Sequence, residues 1–197
     1  MGMANWSEIL YSSRADFTAL STFTSEASLL AGGVNCQPCI KPETWDTLAY
    51  GRRLKIKANG VVGSTGAPTY IFQCRLSSTV GDSTLSGASI GVSPTITTQS
   101  GVTNQWWELL LDITCATPGQ GANETTLICT GSVRSPGGFA APYEYSLAPT
   151  TPPTATWTAA TIASAVAQYL NISVTCGTSN GSNAVTLKNL VVLLDAA

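Results

Sequence analysis

Residues 104–115 read NQWWELLLDITC, and the fold turns on how this stretch is laid out. In an extended chain, successive side chains point to opposite faces. Trp107, Leu109, Leu111, Ile113 and Cys115 then share one face, and Trp106, Glu108, Leu110, Asp112 and Thr114 share the other. The first face is a core face. The second sets a Trp and a Leu among two acids, too apolar for open water and too acidic for a core. Two occupants fit it: the protein's own N-terminal arm, or a subunit interface with an acidic stripe.

The same alternation recurs along the chain. Residues 52–62 (RRLKIKANGVV) put Leu54, Ile56 and Ala58 on one face and Lys55 and Lys57 on the other. Residues 69–76 (TYIFQCRL) turn Tyr70, Phe72, Cys74 and Leu76 inward, and residues 168–176 do the same with Leu170, Ile172, Val174 and Cys176. If strand 69–76 pairs with strand 104–115, Ile71 joins the mixed face. Further strands are read at 124–135 and 184–196, a weaker one within 84–98, and another at 155–163, although 161–170 also fits a helix. Residues 16–30 look β-like, with Phe17, Ala19 and Phe23 inward, and 34–42 reads as a connector. Gly-rich runs at 63–68, 117–123 and 177–183 have turn chemistry. The Pro- and Gly-rich segment 136–154 reads as the most loop-like. It carries Phe139, Tyr143 and Tyr145 as exposed aromatics that suit either sugar stacking or a subunit contact.

Short strands separated by frequent turns, with no long helix alternating between them, predict an all-β fold. The expected architecture is an antiparallel two-sheet jelly-roll sandwich of about eight strands. A short N-terminal arm (1–15) precedes the sandwich domain (16–197). The arm reads as one helical or irregular turn, with Trp6, Ile9 and Leu10 forming an apolar stripe that must dock on its own domain or on a neighbour. The candidate interface is therefore Trp6, Ile9, Leu10, Trp106, Leu110, Phe139, Tyr143 and Tyr145.

Composition narrows the function. With 197 residues, the chain is long enough to bury a core without staples. Nine Lys and Arg against eleven Asp and Glu give a net charge of −2, which argues against nucleic acid as a partner. Arg52, Arg53, Lys55 and Lys57 cluster, as a solvated strand edge would. No apolar run is long enough for a membrane span. MGMANWSEILYSSRADF has no basic region followed by an apolar one, so the expectation is synthesis in a cytoplasm with reduced thiols. Four Asn-x-Ser/Thr matches, at Asn5, Asn123, Asn171 and Asn180, are then chance.

Catalytic chemistry finds little to work with. The chain has no histidine, which removes histidine bases, Ser-His and Cys-His dyads and histidine metal sites. Cys36-Gln-Pro-Cys39 is a single CxxC. It reads first as a structural connector, with a local disulfide or metal and redox chemistry as lesser readings. Glu108 and Asp112 share a face but stand about 13 Å apart at ~3.3 Å per residue, too far for a glycosidase pair at about 5–9.5 Å. Glu43 and Asp46 flank Trp45 on an expected loop. No enzyme activity and no cofactor are expected.

The order RRLKIKANGVV, a Gly/Thr turn, TYIFQCRL, LSGASIGVS and NQWWELLLDITC, followed by QYLNISVTCGTSNGSNAVTLKNLVVLL, resembles jelly-roll virion proteins of tailed bacteriophages. The resemblance covers about half the chain and rests on structural patterns, so it carries over no functional residues. It implies a capsid decoration (cement) protein, made in the host cytoplasm and placed on the capsid surface. Its implied partners are the major capsid protein and further copies of itself, a homotrimer being favoured. The alternative is a receptor- or glycan-binding module of a tail or head fibre. A small RNA-virus coat protein fits less well, because the arm lacks the basic charge that RNA demands.

Overall fold

The computed structural model describes residues 7–13, 16–30, 37–48, 51–82, 84–117, 124–148, 160–163 and 165–195. They form two antiparallel sheets packed face to face. In chain order the first strands are β1 (Ser7–Ser12), β2 (Leu20–Ser21), β3 (Ala27–Ser28) and β4 (Cys39–Ile40). A short helix, α1 (Pro42–Leu48), follows. Then come β5 (Arg53–Gly63), β6 (Thr69–Ser77), β7 (Ala88–Val92), β8 (Ile96–Thr97), β9 (Gln105–Thr117) and β10 (Glu124–Arg134). The last are β11 (Glu144–Leu147), β12 (Ala160–Ala163), β13 (Gln168–Cys176) and β14 (Ala184–Asp195).

The larger sheet runs β1-β14-β5-β9-β10-β11, with β2 also on β14 and β12 on β10. The smaller runs β3-β13-β6-β7, with β4 on β13 and β8 on β6. The first strand thus pairs with the last, and β3 and β4 pair with the strand before it. Each of β5 and β6 lies next inward in its sheet, and β9 and β7 come after them. This concentric wrap is the jelly-roll order, with β10, β11 and β12 added at one side. The wrap also explains what the turn 63–68 does: it carries the chain from one sheet to the other rather than closing a hairpin. Ile71 therefore lies on the smaller sheet and does not join the outer face of β9.

Three local readings change. The described part of the arm, residues 7–13, does not form a helical turn. Residues Ser7–Ser12 pair with Val191–Asp195 as a strand of the larger sheet. Alternation carried less weight there than the unpaired edge of β14, which the arm's backbone satisfies. Glu43 and Trp45 sit not on a loop but on α1, where Pro42 suits the first helical position and Glu43 the first turn. Segment 16–30 is not one strand but two short pairings, β2 and β3; Phe17 is buried as expected, while Ala19 is exposed and Phe23 only part-buried. The ambiguous 161–170 is strand at both ends, in β12 and β13.

The core lies between the sheets. Leu54, Ile56, Ala58 and Val62 of β5 and Trp107, Leu109, Leu111 and Ile113 of β9 meet Tyr70, Phe72, Cys74 and Leu76 of β6. An aromatic chain crosses it: Phe72 contacts Trp107 with ring centroids 5.1 Å apart and Phe139 at 6.0 Å. The Trp107 indole fits because residue 60, opposite it across the β5–β9 pair, is glycine. A Cβ there would stand 1.9 Å from the Thr186 carbonyl oxygen and 2.9 Å from the Trp107 ring. Trp107 Nε1 donates to the Val61 carbonyl at 3.3 Å, so the buried indole N–H is satisfied.

The thiols follow from this packing. Cys74, Cys129 and Cys176 are buried and free. Burial pushes the Cys74 and Cys129 thiols up to about 12, Cys74 being raised further by its neighbour Cys129. Such thiols stay protonated and act as small hydrophobes. Cys39 is a free, exposed thiol on β4, and Cys36 lies outside the described residues.

Gly60→Ala is expected to destabilise the fold by about 1–3 kcal/mol, the usual range for overpacking a filled core. Urea unfolding followed by tryptophan fluorescence measures this; an unchanged midpoint would mean that β5 and β14 are not held at this spacing.

Candidate functional site

The larger sheet presents an outer face that follows directly from strand phase. On β5, β9 and β14 the inward side chains are buried, apart from the ends of β9, where Cys115 is part-buried, while none of the outward ones is. Register places the outward residues in rows. Leu193, Lys55 and Asp112 form one, and Ile9 of β1 extends it at the sheet edge. Val191, Lys57, Leu110 and Ser132 form the next. Asn189, Asn59, Glu108 and Arg134 follow, then Val61 beside Trp106. The apolar members are therefore spread across several strands and separated by charge.

The charges are largely balanced on the face itself. Lys55 Nζ lies 2.6 Å from Asp195, and the hydrogen bond they share raises the pKa of the ammonium against the opposing effect of its partial desolvation. Arg134 donates from Nε and Nη2 to Glu108 at 2.8 and 2.6 Å. The same guanidinium lies over the Trp106 ring, 5.8 Å from its centroid. Trp106 is 47% exposed and Ile128 37%. These partially exposed pairs contribute little to stability, but they hold the large side chains in one arrangement.

The outer face of the smaller sheet differs in kind. Arg75 donates to both carboxylate oxygens of Glu26 at 2.8 and 2.9 Å, to Gln73 and to the Gly87 carbonyl. Burial raises the Glu26 carboxyl, but the hydrogen bonds from Arg75 and Ser173 outweigh it and hold the pKa below its usual value. Ser28 donates to Asn171, which is only 3% exposed. The Asn171 glycosylation match is thus inside the protein, and that of Asn180 lies on an exposed turn. A polar network centred on Arg75 covers much of this face, although Asn171 Nδ2 and Ser89 Oγ beside it are buried without a hydrogen-bond partner among the described residues.

At one end of the sandwich, a cavity of about 400 Å³ opens where the 63–68 turn, the loop before β9 and the 177–183 loop meet. Val61, Thr65, Thr103, Asn104, Ser182 and Thr186 are among its lining residues. At the other end, about 430 Å³ is lined by residues that include Glu8, Ile9, Cys39, Lys41, Glu43 and Arg52. No group of three or more Cys, Asp or Glu among the described residues is placed to hold a metal ion.

The structure divides the predicted contact residues. Trp106, Leu110 and Ile9 share the outer face of the larger sheet, with Ile9 65% exposed at its edge. Leu10 is part-buried against the core. Trp6 lies outside the described residues. Phe139 is corrected: it is fully buried, not exposed, because the loop folds back onto Phe72 and the Tyr145 ring. Tyr145 is part-buried, its hydroxyl donating to the Ala140 carbonyl at 3.2 Å. Only Tyr143 of the three is exposed, at 44%. Of the basic cluster, Lys55 is ion-paired and Arg53 and Lys57 are exposed. Sequence reasoning missed Val61, Arg134, Val191 and Leu193, although each lies one residue out of phase with a core position.

Compared with the sequence profiles of known protein families and with curated protein sequences, the chain matches none.

Phe139→Ala is expected to lower unfolding stability by about 3–5 kcal/mol, as for other buried aromatics. Tyr143→Ala should stay within about 0.5 kcal/mol, as surface changes do. Chemical denaturation of the two variants checks the pair; equal small effects would return Phe139 to the surface.

Proposed function

We propose that this protein is a structural protein of a tailed-bacteriophage virion, a decoration (cement) protein that binds the capsid shell. The observation that carries the reading is the outer face of the larger sheet. Trp106, Leu110, Val191 and Leu193 stand there half-exposed or exposed, between Lys55, Lys57 and Arg134 on one side of the charge balance and Glu108, Asp112 and Asp195 on the other. Such a face stays in water before assembly, and two of its ion pairs, Lys55 with Asp195 and Arg134 with Glu108, are already made when it leaves. It carries no net field that would favour nucleic acid.

The resemblance to jelly-roll virion proteins points the same way. So does a chain with no histidine and few charged residues. On this reading the work is mechanical. Apolar area removed from water at about 25 cal/mol per Å² stabilises each contact, and repetition over a shell multiplies it through avidity. The partners are the major capsid protein and neighbouring copies, a trimer being the favoured form.

The Trp106→Glu/Leu110→Glu double variant is expected to keep its circular-dichroism spectrum and thermal midpoint but lose association with purified phage particles, read by co-sedimentation. The native protein should sediment at shell-wide stoichiometry. Undiminished binding by the variant would overturn this use of the face, and a few copies per particle would place the protein on a tail or fibre instead.

A further inference from the structure

We propose that the 400 Å³ cavity at the end of the sandwich is a subsite for a neutral saccharide, with Trp106, the register neighbour of the lining residue Val61, as the stacking platform. The inference shares Trp106 with the decoration reading but rests on the cavity and the loops that line it. Its volume falls within the range of small-ligand sites, at the scale of one or two sugar rings.

The lining has the chemistry of sugar recognition. Among the described residues, no ionisable side chain contributes to it. Phosphate, carboxylate and polynucleotide ligands would lack the cation that normally holds them. The hydroxyls of Thr65, Thr103, Ser182 and Thr186 and the side-chain amide of Asn104 line the cavity and make no hydrogen bond to another described residue. Each hydroxyl donates and accepts, and the amide does both through separate atoms. That matches a ring of sugar hydroxyls, which also donate and accept.

The loops carrying these groups are held by other bonds. Ser64 Oγ donates to the Gln99 carbonyl at 2.6 Å, and its N–H to the Val102 carbonyl at 2.9 Å. Thr65 N–H donates to Asn183 Oδ1 and Ser182 N–H to Asn180 Oδ1, both at 2.9 Å. The binding groups are thereby spared while their backbone is fixed, which limits the ordering cost of binding. Asn104 sits at φ 50°, a left-handed conformation that Asn tolerates, immediately before β9.

Trp106 supplies the apolar half of the site. It lies directly opposite Val61, a lining residue, on the same face of the sheet. Arg134, held by Glu108, reaches the indole from the β10 side, away from the cavity. The ring is thus braced on one side and half-exposed on the face beside Val61, where the C–H face of a sugar can pack on it.

The test uses saturation-transfer-difference NMR on the full chain with glucose, galactose, mannose, N-acetylglucosamine, lactose and maltose, each titrated to about 20 mM, the millimolar regime of weak single sites. At least one probe is expected to give a saturable signal. Asn104→Ala and Trp106→Ala should each weaken it tenfold or more with unchanged circular dichroism, while Tyr143→Ala leaves it intact. The proposal is overturned if none of the six gives saturable transfer, or if both variants bind as well as the native chain. Asn104 lies off the outer face, so Asn104→Ala should still co-sediment with particles; the two ideas then fail separately.

Discussion

Everything in this molecule hangs on the pairing of β5 with β9, where Gly60 stands opposite Trp107. The missing side chain lets the indole lie over the β5 backbone, and Phe72 and Phe139 build outward from it. Because side chains alternate with a period of two, fixing Trp107 inside fixes Trp106 outside. A slip of one residue would bury Glu108 and Asp112 in the core and expose Leu109 and Leu111. The energetic penalty for that slip is what makes the outer face reproducible, with its acids, bases and apolar side chains always in the same rows.

The jelly-roll wrap turns this one register into a whole domain. Pairing β1 with β14 ties the described start of the chain to its described end, and β13 beside β6 closes the second sheet. The two outer faces then diverge. On the smaller sheet, Glu26, Arg75, Gln73 and Ser173 bond to one another, so the charges of that face are answered within it. On the larger sheet, ion pairs hold large apolar side chains in place without covering them. That asymmetry is the observation on which the proposed function rests.

Much of the architecture was legible because alternation is a local property. Phe72, Cys74, Trp107, Leu109, Ile172 and Val174 are all core residues, and each was readable from its own strand. What was not legible depended on pairing between distant segments. Ile71 joins the outer face of β9 only if the two strands pair, and alternation within one strand does not say which strand lies beside it; β6 pairs with β13, β7 and β8 instead. Phe139 looked exposed because Pro and Gly around it mark a loop, and composition does not say that the loop folds back onto Phe72. The arm looked helical from the spacing of Trp6, Ile9 and Leu10, yet Ser7–Ser12 answer the open backbone edge of β14. The same limit hid the end cavity, which draws Thr65, Asn104 and Ser182 from three separate loops.

The central claim is that the outer face of the larger sheet is the surface buried on assembly. Hydroxyl-radical footprinting of the protein free in solution and bound to phage particles measures this residue by residue. The account predicts strong protection of Trp106, Leu110, Val191 and Leu193 on binding, with Tyr143 and the Arg75 side of the smaller sheet unchanged. Protection of the smaller sheet, with Trp106 and Leu110 labelled as fully as in the free protein, would contradict it.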